Sequence, residues 1–186
     1  KFMTPAYLDI SLGITYKSPK EKFPITVNMS PLALNATFAE SDLIRKDNGF
    51  AYGIEDPDKT SKYEGGSSIE IGFDRTFGKT GYLRYRTTIF SFYGWITDIG
   101  QRNKISDYSK YLAAFEQWNS GDKNIKDKPR LPIHPTVRWE NTIDIKATKY
   151  LSTTLSFQLY YNRAQNVDVQ TRTLLSVGLT YTFKNK

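Results

Sequence analysis

Residues 7–17 read YLDISLGITYK: Leu8, Ile10, Leu12, Ile14 and Tyr16 are apolar, and Asp9, Ser11, Gly13, Thr15 and Lys17 fall between them. A period of two puts one set on each side of an extended chain, so the segment predicts a strand with one apolar and one polar face. The alternation recurs at Phe23, Ile25, Val27 and Met29, at Ile69, Ile71 and Phe73, and at Val137, Trp139, Ile143 and Ile145. It returns at Leu155, Phe157, Leu159 and Tyr161, and again at Leu175, Val177, Leu179, Tyr181 and Phe183. Residues 82–96 are rich in β-branched and aromatic side chains, though their two faces separate less cleanly. The reading gives seven strands, at about residues 6–17, 23–38, 67–77, 82–97, 136–147, 150–163 and 171–183. They form one domain over residues 1–186, or the carboxy-terminal portion of a larger one.

Most of these strands are longer than the usual five or six residues or so, and at about 3.3 Å per residue they are long enough to cross a hydrocarbon layer when tilted. The connections alternate as well. Short turns at residues 18–21, 78–81 and 148–149 take turns with longer loops at about 40–65, 98–135 and 164–170. Transmembrane barrels have this asymmetry, with brief turns on one rim and extended loops on the other. The sequence therefore predicts an all-β fold, an antiparallel transmembrane-type β-barrel. Within the second long loop, DYSKYLAAFEQW (residues 107–118) spaces Tyr108, Tyr111, Leu112 and Phe115 for one face of a short helix. Pro129, Pro132 and Pro135 then return the chain in extended form.

Composition agrees with a polar chain carrying a heavy aromatic load: mean hydropathy is −0.53, yet there are 13 Tyr, 11 Phe and 3 Trp. No stretch approaches the roughly 18 apolar residues of a membrane-crossing helix, a test blind to strands. Tyr16, Phe23, Phe77, Tyr82 and Tyr150 flank the short turns and Tyr181 and Phe183 end the last strand on the same rim, where a headgroup girdle is expected, with Phe38, Tyr93, Trp95 and Tyr161 as candidates for the opposite girdle. The net charge of +7 is spread among acids; between Arg102 and Arg130, Lys and Arg interleave with Asp107, Glu116, Asp122 and Asp127. Without a concentrated basic stripe, nucleic acid is not an expected partner. Zero cysteines excludes a disulfide scaffold and a thiol nucleophile.

The last strand, LLSVGLTYTF, resembles the carboxy-terminal signature of bacterial outer-membrane barrels, with Leu175, Val177, Leu179, Tyr181 and Phe183 as the insertion signal, although Lys184, Asn185 and Lys186 follow the aromatic. With AYLDISLGITYK and KYLSTTLSFQLYY it is similar to the carboxy-terminal half of an uncharacterised Bacteroidota outer-membrane β-barrel family, a domain of unknown function. The resemblance implies a barrel in the bacterial outer membrane, with outer-membrane lipid and the barrel-insertion machinery as partners. It implies no activity.

Candidate chemistry is sparse. His134, the single histidine, sits in Pro-Ile-His-Pro and is read as a solvated loop residue. Glu55, Asp56 and Asp58, ahead of Gly65 and Gly66, fit no EF-hand spacing and read as an acidic turn. Gly78-Lys79-Thr80 lacks the upstream glycine of a phosphate loop and reads as a hairpin. On the polar face, Glu70, Asp74, Arg84, Arg86, Arg138, Glu140, Asp144 and Lys146 carry both signs and are the lumen-lining candidates. No catalytic, cofactor or metal site is expected, and the protein is read as a non-enzyme.

The expected role is thus structural, transport-related or that of a surface component of the outer membrane. The rival is a soluble or periplasmic barrel or sandwich that binds an apolar ligand; a lipid-acting enzyme or protease rests on His134 alone. Three structural expectations follow from the topology. Glu70 or Asp74 should reach Arg84 or Arg86 across the 78–81 hairpin, and the loops at 40–65 and 98–135 should share a rim. Because seven is odd where single-chain barrels are even, an odd number of preceding strands is expected to be missing. Without them the edge of residues 7–17 should be met by the last strand closing a smaller barrel, by a partner subunit, or by an eighth strand within residues 32–65.

Overall fold

The alternating segments form strands. The computed structural model describes residues 6–40, 54, 59–78, 80–148, 150–162 and 168–179. In it β1 (Ala6–Lys17), β2 (Ile25–Phe38), β3 (Ser61–Phe77), β4 (Leu83–Tyr93), β5 (Thr136–Lys146), β6 (Leu151–Tyr161) and β7 (Gln170–Leu179) make one sheet. Sheet order equals chain order, and each neighbour pair is antiparallel. Register keeps the two side-chain sets apart from β1 to β7, as a half-buried sheet requires. Pro31 marks the one irregularity, an extra residue in β2 against both β1 and β3. Proline has no N–H to give a ladder, so a bulge forms there.

Two boundaries differ from the sequence reading. β3 begins at Ser61, because Lys62 and Glu64 continue the polar face while Tyr63 continues the apolar one, opposite Thr37, Asn35 and Ala36 of β2. β4 ends at Tyr93, and residues 95–97, expected as strand, open the short helix α1 (Trp95–Ile99). That helix folds back on β3: the Gly65 N–H donates to Thr97 Oγ1 at 2.9 Å and Trp95 Nε1–H to Ser67 Oγ at 2.8 Å. The close approach requires Gly66, where a Cβ would meet the Tyr93 carbonyl oxygen and come within 2.7 Å of Gly94 Cα. The expected helix of the second long loop is α2 (Tyr108–Ser120), capped by Asp107, whose Oδ1 accepts from the Lys110 N–H at 2.9 Å.

Burial sits at the end of the sheet that carries the long connections. The buried apolar residues among those described are Ala36 and Ala39 at the end of β2, Phe92 near the end of β4, Ile54 from the first long loop, and Tyr111 and Phe115 from α2. The antiparallel ladders put the end of β2, the start of β3, the end of β4 and the start of β5 on this rim, so the flanks of both long connections meet there.

The expectation of a closed transmembrane barrel does not hold. Among the described residues β1 pairs only with β2, and β7 only with β6. Directions alternate strand by strand, so β1 and β7 run the same way and closure would need a parallel pair in an otherwise antiparallel sheet. The sheet stays open. In hydrocarbon each unmet N–H and C=O along its two edges would cost several kcal/mol, roughly. The outer-membrane placement, the lipid contact and the use of insertion machinery are corrected on that ground. The partner subunit or further strand expected against residues 7–17 is not among what the described residues show, where β2 is the one strand neighbour of β1. No helix of the described residues is long and apolar enough to cross a membrane.

Although open, the sheet curls toward its polar face. Six neighbouring strands laid flat would spread over about 24 Å at about 4.8 Å apiece. Yet side chains from β1 through β6 line one cavity of about 310 Å³.

Candidate functional site

The polar face carries a ladder of charges placed by register. Asp74 lies opposite Arg86 and one step from Arg84, and the short Gly78–Gly81 turn holds β3 and β4 in that register. Arg84 takes Asp74 in a two-pronged pair, with Nε–H donating to Oδ1 at 2.8 Å and Nη2–H to Oδ2. Arg86 instead donates to Asp144 Oδ2 of β5 at 2.7 Å, and Thr154 Oγ1–H of β6 donates to Asp144 Oδ1 at 2.7 Å. The Arg84 hydrogen bond holds the Asp74 carboxyl below its ordinary value, assisted by the charges of Arg84 and Arg86 and opposed by burial. At Asp144 burial pushes upward, but the bonds from Thr154 and Arg86 and the charges of Arg86 and Arg84 outweigh it, and the carboxyl also lies low.

A carboxyl depressed in the folded state adds stability that is complete above its unfolded value of about 4 and lost as pH falls through the folded value. Both members of the Asp74–Arg84 pair are half exposed. Asp74→Asn is therefore expected to cost less than about 1 kcal/mol at neutral pH. Urea denaturation should show that gap closing in acid.

The other lumen-lining candidates fall on the same face. Glu70 accepts from Asn28 Nδ2–H at 3.1 Å, Arg138 stands 3.7 Å from Glu140, and Lys146 ends β5 at the turn rim. Charge pairs thus form both across strands, Asp74 with Arg84 and Arg86 with Asp144, and along one strand, Arg138 with Glu140. Nearer the loop rim the face opens into the cavity, which includes Asp9, Asn35, Lys62, Glu64, Arg138 and Tyr160. Of these the sequence reading names Arg138 as a site candidate; the period-two continuation through Lys62 and Glu64 is a signal for those two, whereas Asn35 and Tyr160 join them only through the curl of the sheet.

The opposite face is apolar along its length. By register, Arg75 is its one charged residue among the described strand positions, and its guanidinium lies 4.8 Å from the Phe77 ring centroid. Its polar groups bond one another: Tyr85 O–H donates to Asn141 Oδ1 at 2.9 Å and Trp139 Nε1–H to Thr87 Oγ1 at 3.0 Å. Aromatic rings meet across strands, Phe23 with Phe73 at 5.7 Å, Phe73 with Tyr85 at 6.1 Å and Trp139 with Phe157 at 5.8 Å. Side chains that the sequence assigned to a headgroup girdle, Phe23 among them, take part in this continuous surface. Leu175, Val177 and Leu179 of the expected insertion signal belong to it on β7, while Tyr181 and Phe183 lie outside the described residues.

His134 lies in the segment entering β5. Glu55, Asp56 and Asp58 are outside the described residues, as is Lys79, whereas Gly65 and Gly66 are strand residues under α1. No group of three or more His, Asp or Glu suited to a metal ion occurs among the described residues.

No protein-family model, curated protein or solved structure matches this chain. The resemblance to the Bacteroidota outer-membrane family is therefore corrected too. Alternation of apolar and polar residues is general to half-buried strands and does not by itself distinguish a family.

Proposed function

We propose that this chain is a non-catalytic binding domain whose apolar sheet face takes an uncharged apolar ligand. One observation carries the reading: that face is open along both edge strands, with Leu12 73%, Leu175 65%, Val177 65% and Leu179 84% exposed. Contiguous apolar surface beyond a few hundred Å² marks a binding surface more often than an idle one. Two pairs of its polar groups are also engaged within the face, Tyr85 with Asn141 and Trp139 with Thr87, which lowers the cost of covering them with an apolar guest.

The test is titration with the neutral fluorophore N-phenyl-1-naphthylamine, with 1-octanol as competitor. Saturable fluorescence that octanol displaces is expected. Val177→Lys puts a charge in the face and should weaken binding about tenfold or more. Ser176→Lys, on the opposite face of the same strand, should leave it unchanged. Non-saturable fluorescence, or equal effects of the two variants, would reject the reading.

A further inference from the structure

We propose that the cavity on the polar face is a second binding site, for a neutral carbohydrate. The proposal does not depend on what the apolar face binds.

Shape comes first. The cavity of about 310 Å³ lies at the small end of ligand sites, suited to one or two sugar rings rather than to a large cofactor. Its walls come from six hydrogen-bonded strands, so its groups are held in place before a ligand arrives.

Charge selects next. Two acids, Asp9 and Glu64, face two bases, Lys62 and Arg138. Lys62 Nζ stands 2.9 Å from Glu64 Oε1, and Asn35 Nδ2–H donates to Asp9 Oδ1 at 2.7 Å. An anion or a cation entering here would meet two favourable and two opposing charges, so the balance favours a ligand with none.

Hydrogen-bonding type then narrows the neutral ligands. Donors and acceptors both line the cavity, and the Thr37 hydroxyl and the Tyr160 phenol can each serve as either. A sugar hydroxyl also donates and accepts at once, so each can sit between a carboxylate and a cation. The remaining surface is aromatic. Phe90 and Phe92 line the same wall, and Arg138 lies 5.4 Å from the Phe90 centroid. The ring surface that Arg138 leaves uncovered is the apolar contact offered to the C–H face of a pyranose.

Three trimers of like size but different charge, each able to seat two rings in the cavity with the third outside it, provide the test: cellotriose, trigalacturonate and the trimer of glucosamine. Isothermal titration and amide chemical shifts should show cellotriose binding at about millimolar strength or better, and both charged trimers at least about tenfold weaker. The shifts should map to β1–β6 near the loop rim. Glu64→Gln unbalances the charges and should lower cellotriose affinity about tenfold while raising that of trigalacturonate; Tyr160→Phe, which keeps the ring, should weaken cellotriose severalfold. Circular dichroism and unchanged amide shifts away from the cavity would show that each variant is folded. Absence of cellotriose binding at tens of millimolar, equal or better binding of a charged trimer, or shifts mapping to the apolar face would overturn the proposal.

Discussion

Gly66→Ala is expected to destabilise the protein by about 2–3 kcal/mol, a large effect for one methyl group. The added carbon would press on the Tyr93 carbonyl and on Gly94 Cα, both main-chain atoms. A side chain in that place would rotate aside. Here the corner between β4 and α1 must lift as a unit, breaking the Gly65-to-Thr97 and Trp95-to-Ser67 hydrogen bonds that fasten the helix to β3. Chemical denaturation should register the loss, and indole fluorescence of Trp95 should report the freed helix. A variant as stable as the parent would show that α1 does not rest on β3 in solution.

Tyr111→Ala should cost about 3–5 kcal/mol, the usual range for removing a buried aromatic ring. Tyr111 is the largest fully buried side chain among the described residues. Its ring packs on Phe115 at 5.9 Å, Phe115 on Trp118 at 5.7 Å, and Lys128 Nζ lies 5.1 Å from the Trp118 centroid. The Trp118 Nε1–H, donating to the Asn124 carbonyl at 2.8 Å, ties the helix to the turn that follows it. This cluster is local to the second long loop. Amide exchange in the variant should therefore rise throughout α2 while the ladder between β5 and β6 stays protected; equal loss in both would mean that loop and sheet unfold as one unit.

The strands were legible because each residue's environment is set by its neighbours one and two places away. The alternation around Leu8–Tyr16 and Leu155–Tyr161 needs nothing from the rest of the chain, and the helix at Tyr111 and Phe115 was visible for the same reason. Closure was not legible. Whether the ends of a sheet meet depends on curvature and strand count, which no local pattern encodes, so the even loop rhythm was read as a barrel when the ladder stops at β1 and β7. The α1 corner was hidden by Trp95, Ile96 and Thr97, whose strand preference yields to the seat that Gly65 and Gly66 provide. Of the candidate site, the charge ladder could be read from the 78–81 hairpin, since opposite residues in a tight hairpin are fixed by counting. The cavity could not, because it joins residues of β1 to residues of β6 that only the curl brings together.

The most direct measurement of the open, one-sided sheet is residue-resolved amide hydrogen exchange along β7. In an edge strand every second N–H turns away from its only neighbour, so amides from Gln170 to Leu179 should alternate between slow exchange, shared with β6, and rates close to those of an unfolded chain. Uniform protection along β7 would mean that its outer edge is paired, and would contradict the account.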